Sequence, residues 1–336
     1  MTILKTGILN KGLTRRTAVA GIGAGIAAAG MGIRPASAAL ETVRQGYQTN
    51  MWGMPTYYLL RSGYLEKHGI QKFEEFAVPS GNQTMQQMVA RQVDVGTYAG
   101  PSLALGHDKG GLVAIAFIEN VGKTTRVMAR KDLGITKVEQ LKGKKVANQT
   151  GSSIGNIFTD QIAPKAGLSK SDYQEIRMNV DDMVAAMAAK TIDAMITVEP
   201  YNAIADADGL GVTLAEYYDF DKMPVFMAAT PDFVQKSPET VVAYLKAWID
   251  VGKDFKSSPD KVANLIFGFY QSKGYTMSKD TFTKALARVE VNPGGPSDAR
   301  PYLQEQAEIL LKEKKIKAIP DWDKVLRTEF FKQAGA

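Results

Sequence analysis

The 336-residue sequence contains no cysteine. This absence excludes disulfides, thiolate zinc sites and cysteine nucleophiles, and it also excludes a lipid-anchored export signal, which requires a cysteine at its cleavage point. The two histidines, His68 and His107, are far apart in the chain and lack metal-ligand spacing. No Gly-x-Ser-x-Gly nucleophile motif is present. The sequence therefore predicts no metal, no cofactor and no enzyme activity.

Basic and acidic residues are almost equal in number over most of the chain. The formal net charge is +6, from 41 lysines and arginines against 35 acidic residues. Residues 1–38 hold five of the basic residues and no acidic one. The remaining chain is almost neutral, and a near-neutral protein lacks the basic surface that nucleic acids require. The basic excess indicates a targeting segment.

Long hydrophobic runs are also absent. The longest, from Ala18 to Met31, is shorter than the roughly 20 residues that span a bilayer. Basic residues precede it, and the small residues of 35–38 follow it, which predicts an export signal over residues 1–38, cleaved near Ala38, and a periplasmic product. The arginine pair Arg15–Arg16 resembles a twin-arginine signal, although Ala18 stands where that signal usually has an aromatic residue or leucine. The general secretory route therefore stays open.

After residue 41, short apolar runs alternate with amphipathic stretches, a pattern that predicts an α/β protein. The order strand, helix, strand, helix, strand occurs twice, first from Thr42 and again after Gly134. The repetition predicts two α/β lobes with a cleft between them. A strand over 224–229 follows, and the rest of the chain reads as helical, with a loop over Pro293–Pro296.

Several short segments in the middle of the chain match one known family in order and spacing. These segments are Lys131–Ile135, Val138–Ala147, Thr150–Ser153, Ala166–Leu168, Ala185–Met187, Ile192–Ala194 and Val198–Tyr201. Together they resemble the substrate-binding proteins of ABC importers for taurine, aliphatic sulfonates and nitrate, which are related to proteins that bind thiamine-pathway pyrimidines. The family usually has Trp-Asp-Pro-Tyr in the last segment, and Val198 and Glu199 depart from that pattern.

The resemblance implies a type II periplasmic-binding-protein fold, with two α/β lobes joined by two crossover segments and a ligand cleft between them. One lobe would contain residues 40–125 and 223–336, and the other residues 126–222. The implied partners are a small-molecule solute and an ABC permease, with its ATPase, at the inner membrane. The chain would act as a monomer.

The segment from Thr150 to Ser153 lies between a predicted strand and a predicted helix. Unpaired backbone N–H groups and the helix dipole favour an anion at such a place, and serine hydroxyls add hydrogen-bond donors. We therefore predict ligand contacts from Gly151, Ser152 and Ser153. The alternative is that a serine only caps the helix, as serine commonly does.

Loops after other predicted strands supply further candidates, because open α/β sheets bind ligands at the carboxyl ends of their strands. An aromatic ring with neighbouring methionines could form a flat apolar wall, and serines at helix starts could donate hydrogen bonds. Core packing of the aromatic rings and simple capping by the serines are the alternatives. The predicted contacts are Asn50, Met51, Trp52, Ser80, Tyr98 and Ser102.

Glu199 has two interpretations. In the cleft it would repel an anion and attract an amino group, whereas at a hinge it would be solvated or paired with a cation. The predicted solute is a small organic anion, either a sulfonate or a carboxylate. Two alternatives stay open, namely binding of a neutral heteroaromatic such as a thiamine-pathway pyrimidine, and a role as a solute sensor for a membrane receptor.

Overall fold

The computed structural model describes residues 40–335, so the predicted export signal lies outside the described residues. Two sheets form the framework. Their central strands are apolar, as is usual for strands that are buried on both faces of a sheet. The first sheet has the strand order β11-β4-β10-β3-β1-β2 and the second has β7-β6-β8-β5-β9. The strands are β1 (Val43–Gln48), β2 (Phe73–Val78), β3 (Val95–Ala99), β4 (Val113–Asn120), β5 (Thr125–Arg130), β6 (Lys145–Asn148), β7 (Gln174–Arg177), β8 (Ala194–Val198), β9 (Gly211–Glu216), β10 (Pro224–Ala229) and β11 (Glu290–Gly294).

Helices connect the strands and cover both sheets. Several begin with proline at their first or second position, where the missing N–H costs nothing. The helices are α1 (Met54–Leu59), α2 (Tyr64–Lys67), α3 (Gly81–Val89), α4 (Gly100–Gly110), α5 (Ser153–Ile157), α6 (Ala163–Lys165), α7 (Met183–Ala188), α8 (Tyr201–Ala207), α9 (Pro231–Lys236), α10 (Pro238–Ser257), α11 (Pro259–Ser272), α12 (Lys279–Leu286), α13 (Arg300–Lys312), α14 (Trp322–Val325) and α15 (Thr328–Gln333). A π-helical turn, Phe158–Ile162, joins α5 to α6. No helix in residues 40–335 is both long and apolar enough to cross a membrane.

The chain crosses between the sheets twice. The first crossing (Val121–Thr124) leads from β4 to β5, and the second crossing (Tyr217–Met223) leads from β9 to β10. On its return the chain inserts β10 between β3 and β4, antiparallel to both. Because β1, β2 and β3 are parallel, their carboxyl ends lie together at one end of the first sheet. The carboxyl ends of the parallel strands β6, β7 and β8 likewise lie together at one end of the second sheet.

The structure corrects one part of the sequence interpretation. Residues predicted as a loop at Pro293 and Gly294 belong to β11, which pairs antiparallel with β4 at the edge of the first sheet. An edge strand tolerates proline because one row of its N–H groups needs no partner strand. The other unpredicted strand, β9, also lies at an edge. Both strands were hidden because their sequences lack the apolar runs of central strands.

A charge cluster around the buried Asp250 attaches α10 to the end of α2. The Asp250 carboxylate accepts hydrogen bonds from Lys67 Nζ at 2.7 Å and from Lys253 Nζ at 3.0 Å, and it lies 3.0 Å from His68 Nε2. Burial raises the pKa of Asp250, but the bonds with Lys67, His68 and Lys253 outweigh burial and hold the pKa well below its usual range. The ionised form therefore stabilises the fold.

We expect Asp250→Asn to lower the free energy of unfolding by about 2 kcal/mol at pH 7, the usual scale for charged hydrogen bonds. Because the pKa of Asp250 is lowered on folding, its contribution is complete above the unfolded carboxyl pKa of about 3.9 and disappears as the pH falls through the lower folded value. Urea unfolding from pH 3 to pH 7 checks this. The exposed Asp232→Asn is the control, with a change of about 0.5 kcal/mol or less. A wild-type advantage over Asp250→Asn that does not change with pH would contradict the assignment.

Candidate ligand-binding cleft

A polar cavity of about 500 Å³ lies where strand ends of the two sheets face each other. Its volume falls within the range of small-molecule sites. From the first sheet it receives the segment after β2, and from the second sheet the segments after β6 and β7. We call it the cleft cavity, and it is lined by Ser80, Asn82, Gln83, Gln86, Gln149, Thr150, Gly151, Ser152, Arg177, Met178, Asn179 and Asp182.

The first-sheet wall of the cleft cavity is the start of α3. The Ser80 hydroxyl caps this helix by accepting a hydrogen bond from the backbone N–H of Gln83 at 3.3 Å. The helix packs closely on the sheet, because a Cβ at Gly96 would lie 2.5 Å from Thr84 Cγ2 and one at Gly46 would lie 2.8 Å from the same atom. Two glycines thus allow α3 to pack closely on the sheet. Its first turn lines the cavity, where a helix N-terminus favours negative charge.

The second-sheet wall contains the segment that the sequence had indicated. Gly151 has a φ of +82°, a backbone conformation that favours glycine. The Ser152 hydroxyl accepts from the backbone N–H of Gly155 at 3.2 Å and donates to the carbonyl of Gln149 at 2.7 Å. Ser152 therefore caps the helix that begins at Ser153, which was the alternative considered from sequence. Capping and a place on the cavity wall occur together at this residue.

Arg177 is the cationic residue that sequence reasoning missed. It is the last residue of β7 and pairs in parallel register with Asn148, the last residue of β6. Its side chain is exposed, lines the cleft cavity and has no salt-bridge partner among residues 40–335. Asp182 is the carboxylate on the same wall. The local sequence does not identify Arg177 as a site residue, because an arginine in a short polar strand is usually predicted to be a solvent-exposed surface residue.

The apolar candidates lie away from the cleft cavity. Met51, Trp52 and Tyr98 are buried in the protein core. Trp52 Nε1 donates to Thr124 Oγ1 at 2.7 Å, which connects the segment after β1 to the first crossing. The Tyr98 hydroxyl has no hydrogen-bond partner within residues 40–335, and burial raises its pKa. Aromatic rings therefore form no part of the cleft cavity wall among the described residues.

The remaining polar candidates are buried at helix starts. Asn50 Oδ1 accepts from the backbone N–H of Trp52 at 3.0 Å and caps the short turn there. Ser102, in the first turn of α4, is buried. Ser153 is buried and lies with Pro101 in a separate narrow gap. Of the residues predicted from sequence, the structure thus brings Ser80, Gly151 and Ser152 together in one cavity.

Glu199 is fully buried at the end of β8 and takes part in an ion cluster. Its Oε1 lies 3.1 Å from Arg126 Nη2 and 3.7 Å from Arg288 Nε, and its Oε2 accepts from the backbone N–H of Ala203 at 3.0 Å. Burial raises the pKa of Glu199, against the influence of the two guanidinium groups. The backbone carbonyl of Glu199 also accepts from the N–H of Met51 at 3.1 Å. Glu199 is therefore paired with cations and does not line the cleft cavity.

Two sheets, joined by two crossings and facing a polar cavity with their strand ends, form the architecture of type II periplasmic binding proteins. The solved alkanesulfonate-binding protein of Xanthomonas axonopodis pv. citri has this fold, with a TM-score of 0.73 at 18% identity over 87% of this chain and 99% of that one. A desulfurization enzyme also shares the fold, with a TM-score of 0.66 at 14% identity over 88% of this chain and 98% of that one. The fold alone therefore does not decide between binding and catalysis.

Sequence comparison defines the family. Residues 50–262 match the model of the NMT1/THI5-like family, and the chain belongs to that family. A Brucella abortus protein, named a candidate binding protein, is 33% identical over 221 residues, which is 64% of this chain and 67% of that protein. An Escherichia coli protein, named a candidate aliphatic sulfonates-binding protein, is 26% identical over 201 residues, 59% of this chain and 61% of its own.

Proposed function

We propose that this protein is the periplasmic solute-binding component of an ABC importer and that it captures a small organic anion in the cleft cavity. The observation that carries the proposal is Arg177, a cation without a salt-bridge partner among the described residues, on a wall of amides and hydroxyls. The N-terminal turn of α3 adds favourable potential for an anion. Family membership and the names of the relatives support the same function.

The proposed mechanism is closure of two lobes on the solute. The lobes would be residues 40–125 with 223–336, and residues 126–222, and the two crossings would act as the hinge. Membership of the two sheets supports this division, because β1–β4, β10 and β11 form one sheet and β5–β9 the other. The solute shifts the open–closed balance only through its difference in affinity for the two forms. The closed monomer would then dock on the permease.

Binding without turnover is part of the proposal. The hydroxyls of Ser80 and Ser152 are both engaged in helix capping. Neither serine has a histidine beside it on the cleft cavity wall that the structure describes. Activation of a serine nucleophile requires such a base. These contacts support a role as a binding protein.

The cavity wall supports a small, strongly polar solute. Trp52 and Tyr98 are packed elsewhere, so a flat heteroaromatic ring would find no stacking partner among the described residues of the wall. Arg177 supplies the counter-charge for a sulfonate or carboxylate, and Asp182 offers an acceptor to an amino group on the same solute. Sulfonates and carboxylates are therefore the first classes to examine.

A thermal-shift screen of the purified protein tests the function. The panel contains taurine, alkanesulfonates, small carboxylates, nitrate and thiamine-pathway pyrimidines. A ligand at 100 times its dissociation constant adds about 2.7 kcal/mol, which corresponds to an increase of about 5 °C in Tm. We expect the increase with a sulfonate or a carboxylate. An increase with pyrimidines alone would contradict the anion assignment, and turnover of any bound compound would contradict the role as a binding protein.

A further inference from the structure

A second cavity, of about 410 Å³, lies beside the second crossing. We call it the hinge cavity. Its wall combines β4 through Phe117, the second crossing through residues 220–222, and the helix α13 through residues 302–306. It shares no lining residue with the cleft cavity, within the part of the chain that the structure describes. A ligand in this cavity would therefore occupy a site distinct from that of the cleft solute.

The hinge cavity offers apolar surface to an organic group. Phe117, Phe220 and Tyr302 line it, and all three side chains are only half-buried. Aromatic rings of this kind contribute large contact area and attract cations through their faces. The wall therefore suits a compact aromatic or aliphatic group and is compatible with a positive charge nearby.

The hinge cavity also contains carboxylates that lack a counter-ion. Asp221 is more than nine-tenths buried, and it accepts hydrogen bonds from the Tyr302 hydroxyl at 3.1 Å and from the backbone N–H of Met223 at 2.7 Å. No cation lies within salt-bridge distance of Asp221, Asp298 or Glu305 among residues 40–335. A buried carboxylate such as Asp221 usually has such a partner, whereas Asp298 and Glu305 are exposed. Three carboxyl groups face one lysine, Lys222, so the wall carries an excess of negative charge.

An unpartnered amide provides an independent indication of a ligand. Only 6% of Gln306 is exposed, and the residue lines the hinge cavity. The amide makes no hydrogen bond to another residue in the described part of the chain. The amide atoms of Gln306 are not fully enclosed by protein, so a molecule that fills the cavity can reach them. A ligand in the cavity could accept from, or donate to, this group.

We propose that the hinge cavity binds a small organic cation, namely a primary amine that carries an aromatic or apolar group. The ammonium group lies among Asp221, Asp298 and Glu305, and the apolar group packs on Phe117 and Phe220. The negative charge selects the cation, and the aromatic wall selects an organic amine over an inorganic ion. The unpartnered amide gains a hydrogen-bond partner in the bound state. This site is separate from the anion site of the proposed function.

Calorimetric titration of the whole protein with benzylamine tests this proposal, with benzyl alcohol as the uncharged compound of the same shape. We expect saturable binding of benzylamine to one site per chain and at least about tenfold weaker binding of benzyl alcohol, because a charged hydrogen bond is lost. Equal affinity for the two compounds would overturn the proposal. So would the lack of saturable benzylamine binding up to about 10 mM, where even a very weak site is occupied.

Variants then locate the bound amine. The double variant Asp298→Asn with Glu305→Gln should weaken benzylamine binding at least about fivefold, since both carboxylates are exposed and their removal leaves the core intact. Glu308→Gln is the matched control, an exposed glutamate on the same helix that does not line the cavity, and it should bind like wild type. Unchanged binding in the double variant would place the amine elsewhere and overturn the proposal.

Discussion

Replacing Arg177 with glutamine is expected to weaken binding of a sulfonate such as taurine or ethanesulfonate about 10- to 100-fold. The guanidinium group offers charge-assisted hydrogen bonds to an oxyanion, and such bonds contribute about 1.5–3 kcal/mol each. Glutamine keeps an N–H donor on a shorter side chain and removes the charge. Arg177 is exposed and has no salt-bridge partner among the described residues, so its loss should leave the free energy of unfolding within about 0.5 kcal/mol of wild type.

Calorimetric titration of wild type and variant with the same sulfonate measures the effect. Arg300→Gln is a matched control, because Arg300 is an exposed arginine that pairs with Asp323 and does not line the cleft cavity. Conversion of Arg177 to lysine should recover part of the affinity, since it restores the charge without the planar fork. Equal affinity of Arg177→Gln and wild type would place the anion outside the cleft cavity.

This prediction depends on a residue that the sequence did not reveal. The segment Thr150–Ser153 could be found from its position between a strand and a helix, which is a local pattern. Arg177 reaches the same cavity only because β7 pairs with β6 in parallel and both strands end on one edge. Register between strands is a non-local property, and one short polar strand gives no indication of it.

Replacing Glu199 with alanine is expected to lower the free energy of unfolding by about 3 kcal/mol, because it removes the buried counter-charge of Arg126 and leaves only the partly exposed Asp206 and Glu216. Arg126 is the partner at risk, since only 10% of its side chain is exposed and its Nη2 lies 3.1 Å from the Glu199 carboxylate. Arg288 lies 3.7 Å from the same oxygen. Asp206 holds Arg126 at 2.6 Å, but its own side chain is 44% exposed and cannot replace a buried counter-ion.

Urea unfolding at neutral pH measures this loss, with the exposed Glu139→Ala as a control that should change stability by about 0.5 kcal/mol or less. The double variant Glu199→Leu with Arg126→Met should be markedly more stable than Glu199→Ala, because apolar replacement of both partners leaves no buried charge. A loss below about 1 kcal/mol in Glu199→Ala would contradict a structural role. We also expect Glu199→Ala to bind the sulfonate with wild-type affinity. A changed affinity would indicate that Glu199 contacts the solute.

More of the overall fold than of the candidate site could be predicted from the sequence. Alternating apolar and amphipathic segments predicted an α/β chain, and ordered short motifs indicated the family that the comparison confirms. The edge strands β9 and β11 were missed because edge positions impose little apolar pattern. Trp52 was correctly expected in the loop after β1, but its side chain packs towards Thr124, which is distant in the chain. The orientation of a side chain depends on such tertiary neighbours, so the local sequence could not predict it.

The indole of Trp52 has a spectroscopic consequence. The protein has three tryptophans, and Trp248 and Trp322 are buried among residues that pack on the first sheet. Trp52 instead packs with the core of the second sheet, although the chain around it follows β1. Rotation of one sheet relative to the other about the crossings would change the packing of the ring on the second-sheet core. In a Trp248→Phe, Trp322→Phe background, the emission wavelength of one natural fluorophore would therefore report opening and closing without an attached dye.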